Sequence, residues 1–195
     1  INNNPIPRII RYNIIMDDAA RKIVYEESAN EYWRWKNAGD NLFIAANILE
    51  VNYNKSLNKI KDTTKDKLSL SAQILSQWIY FKAKSLELYM KALYIKQGNA
   101  ATDCKGNLSK AFITHELFTL SKIIKIILNK EQRALLNKLT DAVKYWGTYP
   151  MPLSYKKWRP DMDGITGIQP IFSWSEQENK ILEGIINKIK WNFDK

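Results

Sequence analysis

The sequence predicts an all-α fold, an up-and-down bundle of four or five main helices. Three observations carry that prediction. Apolar residues recur at steps of three and four over most of the chain, the period of a helix with one buried face. Helix start and stop signals frame those stretches: Asn129 with Gln132, Ser173 to Glu176, and Gly98-Asn99. No segment alternates apolar and polar residues between hairpin turns, and no internal repeat is present. With 195 residues, the chain fits one domain that buries ~70% of its unfolded surface.

Residues 1–16, with Pro5 and Pro7 behind Asn2 to Asn4, read as an N-terminal arm, and residues 17–195 as the helical domain. Asp17 or Asp18 is placed to cap a first helix. A long helix is expected from about Asn30 to Asn54, with the stripe Trp35, Ala38, Leu42, Ala45, Ala46 and Leu49. Gly39 within it costs ~1 kcal/mol and marks either a tight crossing or a break. Lys55 to Lys67 holds five lysines and reads as a solvated loop or a frayed helix end. The second long helix, about Leu68 to Gln97, carries two adjacent apolar ladders, so it is expected at the centre of the bundle. Residues 98–112 read as a loop. A short helix is expected to start at Thr114 and to carry Leu117 through Ile127, and a further helix to run from Asn129 to Gly147. The proline- and glycine-containing stretch 149–172 is expected to be irregular, and 173–195 to form a closing helix.

The net charge of +10 is compatible with a nucleic acid, a nucleotide or an acidic protein as partner. A lone cysteine, Cys104, forms no internal disulfide, which points to a reducing, cytoplasmic setting. No apolar run approaches the ~20 residues of a membrane span. Arg8 and Arg11 interrupt the apolar residues of the arm, which does not read as a secretory signal. Glycine-rich phosphate loops, Cys/His zinc clusters and nucleophile elbows are missing. The sequence implies no cofactor and no metal.

Three elements carry a family resemblance. The run from Ala83 to Leu93 ends in Lys91-Ala92-Leu93; Thr114-His115-Glu116-Leu117 follows; and Tyr145-Trp146 leads to Tyr149-Pro150. In order and spacing they resemble the HEPN family of helical bundles over about residues 30–152. The resemblance implies a bundle that handles RNA or nucleotides and pairs with itself or with a nucleotidyltransferase-like protein. Many members are metal-independent ribonucleases that use an arginine four to six residues before a histidine. Here the single histidine, His115, has no arginine nearer before it than Arg34. The expectation is therefore a non-catalytic binding module for RNA, a nucleotide or a partner protein. The alternatives are a divergent ribonuclease with Lys110 and His115 as its pair, and a self-associating scaffold. Wide apolar faces and seven tryptophans add the expectation of a homodimer.

Lys91 reads either as a helix-surface partner of Glu87 or as the rim of a pocket facing His115. His115, taken to lie in the first turn of a helix, reads either as a side chain that hydrogen-bonds a neighbouring helix and fixes the loop or as a contact for an anion there. Tyr149 is placed to stack a base. Lys156, Lys157, Trp158 and Arg159 interleave cations with an aromatic ring, as contact with a nucleic-acid backbone and bases requires.

Overall fold

The computed structural model describes residues 17–59, 65–146 and 174–194. The arm expected at 1–16 and the irregular stretch expected at 149–172 lie outside the described residues. Within them the chain is an all-α bundle of seven helices and one π-helical turn, with no strand.

Asp17 accepts a hydrogen bond from the Ala20 N–H at 2.7 Å and so opens α1, Asp18–Asn30. The helix expected from Asn30 is instead broken at Glu31, whose backbone is extended, and α2 runs Tyr32–Lys59. Lys55 to Lys59 thus continue a helix. α3, Lys65–Lys96, ends where Gly98 takes φ +84°, a left-handed stop open to glycine. Residues 85–93 of α3 are buried except for a partly exposed Leu88, so this helix is central as its two ladders predict. α2 lies antiparallel to it, as the pairs Gly39–Ser85, Glu50–Lys82 and Tyr53–Trp78 show.

Gly39 marks a tight crossing. The Ser85 hydroxyl donates to the Gly39 carbonyl at 2.7 Å, and a Cβ there would sit 3.0 Å from the Tyr89 ring. The buried face of α2 therefore centres on Gly39 and Ala46.

Beyond α3 the chain doubles back along it. Ala101 N–H and Thr102 meet the Asn30 side chain of α1, and the segment called a loop contains α4, Lys110–Ile113. Thr114 closes α4 rather than capping the next helix; α5 starts later, at Leu117, and runs to Ile123. Lys125 at φ 57° ends that stretch, and Ile127, expected on its buried face, is 88% exposed. Asn129 and Gln132 form the capping box read from sequence and open α6, Lys130–Asp141, which passes into the π turn Ala142–Trp146. Ser175 and Glu178 form a second capping box at α7, Glu176–Trp191. α7 runs antiparallel to α6 through Lys138–Glu178 and Gln132–Lys188, and parallel to α3 through Lys82–Asn179 and Lys96–Phe193. The four long helices α2, α3, α6 and α7 thus alternate up and down. Leu86, Met90 and Leu93 of α3 pack in one core with Leu117, Leu136, Leu182 and Ile185, each fully or almost fully buried.

Candidate binding site

Glu87 sits in the central stretch of α3, with a side chain 0% exposed. A carboxylate there is tolerated only if its lone pairs are met by donors. Lys84 and Lys91, three residues before and four after, lie on the same face of the helix. Lys91 Nζ stands 2.6 Å from Oε1; Lys84 Nζ reaches Oε1 at 2.9 Å and Oε2 at 3.0 Å. The fourth member is distant in sequence: His115 Nδ1 lies 3.1 Å from Oε2. Burial by itself would raise the Glu87 carboxyl, but the Lys91 and Lys84 charges outweigh it and hold it below its ordinary value. The group stays ionised. An ionised carboxylate has no proton to give, so Nδ1 carries the hydrogen of that bond and Nε2 is the ring nitrogen left free of it.

Lys91 is held as firmly as Glu87. Its ammonium also donates to the Phe112 carbonyl at 2.6 Å and lies 5.9 Å from the centre of the Phe112 ring. Burial pulls its pKa down against the opposing pull of Glu87. The Glu87–Lys91 pair is thus buried, not a surface pair, and Lys91 anchors the site from beneath rather than meeting a ligand at its rim.

The short elements around His115 place it. Phe112 and Leu117 are buried on either side of it, and the Leu117 N–H donates to the buried Thr140 hydroxyl of α6 at 3.0 Å. Residues 114–116 are therefore stretched over the edge of α3. His115 lies in this extended link and not in a helical turn, so the anion site expected from free helix N–H groups is replaced by a carboxylate-anchored imidazole. Its side chain is 46% exposed. Next to it, Glu116 pairs with Lys144. Three lysines (84, 91 and 144) against two glutamates (87 and 116) leave the cluster at +1 before His115 is counted.

Sequence reading paired Glu87 with Lys91 on the helix surface, or set Lys91 at a rim facing His115, and did not find that the Glu87 carboxylate joins the two. The available signal was a glutamate flanked by lysines at both helical spacings on a helix apolar all round. Lys110 is exposed at the start of α4, and no hydrogen bond links it to His115 among the described residues. Tyr149, Lys156, Lys157, Trp158 and Arg159 lie outside those residues. No cluster of three metal-ligating side chains occurs among the described residues, and Cys104 is exposed. A hollow of about 420 Å³ opens between α1, α2 and α3, against Tyr25, Ala29, Trp35, Ala38, Leu88 and Leu108; none of the site residues named above lines it. No helix among the described residues is long and apolar enough to cross a membrane.

Two further charged networks tie the long helices. Asp40 accepts from the Tyr89 hydroxyl at 2.7 Å and from Lys36 at 2.8 Å. Buried Lys82 pairs with Glu50 at 2.9 Å and donates to Asn179 at 3.2 Å, joining α2, α3 and α7. These are locks between helices.

Compared with protein-family models, with curated proteins and with solved structures, the chain matches none.

Proposed function

We propose that this chain is a non-catalytic, HEPN-like binding module whose ligand is an RNA or a nucleotide, held by its phosphate at His115. The observation that carries this reading is the bond from His115 Nδ1 to the buried Glu87 carboxylate. It fixes the plane of a half-exposed ring and directs Nε2 away from the carboxylate, and in the doubly protonated ring the Nε2–H donates to a phosphate oxygen. The surplus positive charge of the cluster and the net charge of +10 favour an anion. The basic stretch Lys156 to Arg159, with Trp158, supplies a second contact in this reading, and Tyr149 a stacking ring. The test is fluorescence anisotropy with a labelled single-stranded RNA and a labelled ATP. A hydrogen bond to a charged group contributes ~1.5–3 kcal/mol, so His115→Ala weakens binding by about tenfold or more. Equal binding by parent and variant refutes the assignment.

The same bond favours one second reading. A buried carboxylate that orients a histidine is the arrangement of a general base, so a metal-independent ribonuclease would use Glu87 with His115 rather than Lys110. Incubation with mixed RNA in the presence of EDTA separates the two. Cleavage that His115→Ala abolishes establishes the second reading; intact RNA with retained binding supports the first.

A further inference from the structure

At the end of the bundle where α3 and α7 stop and α6 starts, the surface is apolar and basic at once. α5 closes in a reverse turn whose Ile126 N–H donates to the Ser121 carbonyl at 2.9 Å. The left-handed position of such a turn usually belongs to glycine; here Lys125 occupies it at φ 57°. Among the described residues no other side-chain-bearing residue takes a positive φ, and strained backbone of this kind clusters at functional positions. The turn buries Ile124 and Leu128 and leaves Ile127 88% exposed. Lys188 of α7 donates to the Ile127 carbonyl at 3.3 Å. Trp191, one turn further along α7 on the same side, is 64% exposed.

Exposed cations stand around these side chains: Lys122, Lys125 and Lys130 beside the turn, and Lys188 from α7. The only acid from Leu117 to Ala134, or from Gly184 to Phe193, is Glu131. Helix ends do not account for all of this charge. Lys130 opens α6, where the helix dipole disfavours a cation.

We propose that this end of the bundle docks on a membrane surface rich in anionic lipid, with Ile127 entering the acyl boundary and Trp191 at headgroup level. Each side chain suits one layer of that interface. An aliphatic group gains by leaving water for the acyl boundary, and tryptophan settles among the headgroups. Lysines meet anionic headgroups while their stems lie along the apolar layer. The rival occupants fit less well. RNA uses the cations and the indole ring but leaves Ile127 in water. The core of a protein interface is depleted of lysine, and a second copy of the chain brings the same lysines face to face. The contact is peripheral, since no helix among the described residues is long and apolar enough to cross a membrane. It does not depend on the His115 site.

Co-sedimentation with vesicles of equal parts phosphatidylcholine and phosphatidylserine, against vesicles of phosphatidylcholine alone, tests it. The parent is expected to bind the anionic vesicles, less as salt rises, and not the neutral ones. Ile127→Asn keeps the charge and, at a position 88% exposed, the fold. It is expected to weaken partitioning about tenfold or more, as loss of a buried aliphatic side chain does. Lys125→Gln with Lys130→Gln is expected to weaken it about twenty-five-fold, at roughly fivefold per cation near an anionic surface. Lys55→Gln with Lys180→Gln removes the same charge from the opposite end of the bundle, where α2 meets the start of α7. That variant is expected to bind like the parent. So is His115→Ala, which separates this proposal from phosphate binding at His115. A parent that does not bind anionic vesicles overturns the proposal. So does an Ile127→Asn variant that binds them like the parent, or two lysine pairs that weaken binding equally. Should the pair Lys125 and Lys130 govern binding of single-stranded RNA while vesicles stay unbound, the end face is a nucleic-acid surface and the proposal fails.

Discussion

Replacing Glu87 with Gln keeps the shape of the side chain and removes the charge on which Lys84, Lys91 and His115 converge. No cavity is created, so the effect isolates electrostatics. Lys91, 4% exposed, is left as a buried cation with the Phe112 carbonyl as its remaining partner. Breaking a buried pair from one side costs ~3–5 kcal/mol, a large share of the ~5–15 kcal/mol that holds a domain together. With a urea dependence of about 2–3 kcal/mol per molar, the midpoint falls by roughly 1–2.5 M. Urea unfolding followed by circular dichroism reads this directly. Glu87→Gln with Lys91→Met removes both charges and recovers most of the loss, because no uncompensated cation remains. A midpoint within about 0.3 M of the parent for the single variant refutes the reasoning that the cluster is a tightly coupled, desolvated unit. The pH dependence has a definite sign. The folded pKa of Glu87 lies below its ordinary value of 4.5, so its stabilisation is complete above that value and is lost as pH falls through the lowered one. Glu87→Gln therefore loses less stability than the parent between neutral pH and the acid range.

Gly39→Ala gains ~1 kcal/mol of helix propensity but sets a methyl 3.0 Å from the Tyr89 ring and 3.3 Å from the Ser85 carbonyl. Overpacking costs ~1–3 kcal/mol, so the variant melts a few degrees lower in a thermal scan; a rise in Tm refutes the tight crossing. Replacing Lys156, Lys157 and Arg159 with alanine reduces the slope of log affinity for RNA against log salt by about one unit per lost phosphate contact, and an unchanged slope removes this stretch from the interface.

Local signals were legible in the sequence wherever neighbours along the chain decide the outcome. The capping box at Asn129, a helix cap within Ser173 to Glu176, the stop at Gly98 and the central position of α3 were all readable, because caps and apolar periodicity act over three or four residues. The break at Glu31 and the late start of α5 at Leu117 were not. Thr114 is a good cap by type, but the Leu117 N–H finds the Thr140 hydroxyl of another helix and the start moves with it. The resemblance drew attention to Lys91 and His115. What was not legible is that buried Glu87 joins them, because its neighbours come both from α3 and from the link after α4.

The sequence by itself determined the all-α class, the order of the long helices and a surplus of positive charge, since these depend on periodicity, short-range caps and composition. Only the tertiary structure decided that Lys91 is an internal anchor, that His115 hangs from the Glu87 carboxylate, and that Ile127 is left facing water. The physical reason is that burial is a property of the packed bundle. A glutamate between two lysines looks the same on an exposed helix as on a central one, and becomes the hub of a site only once other helices have excluded water from around it.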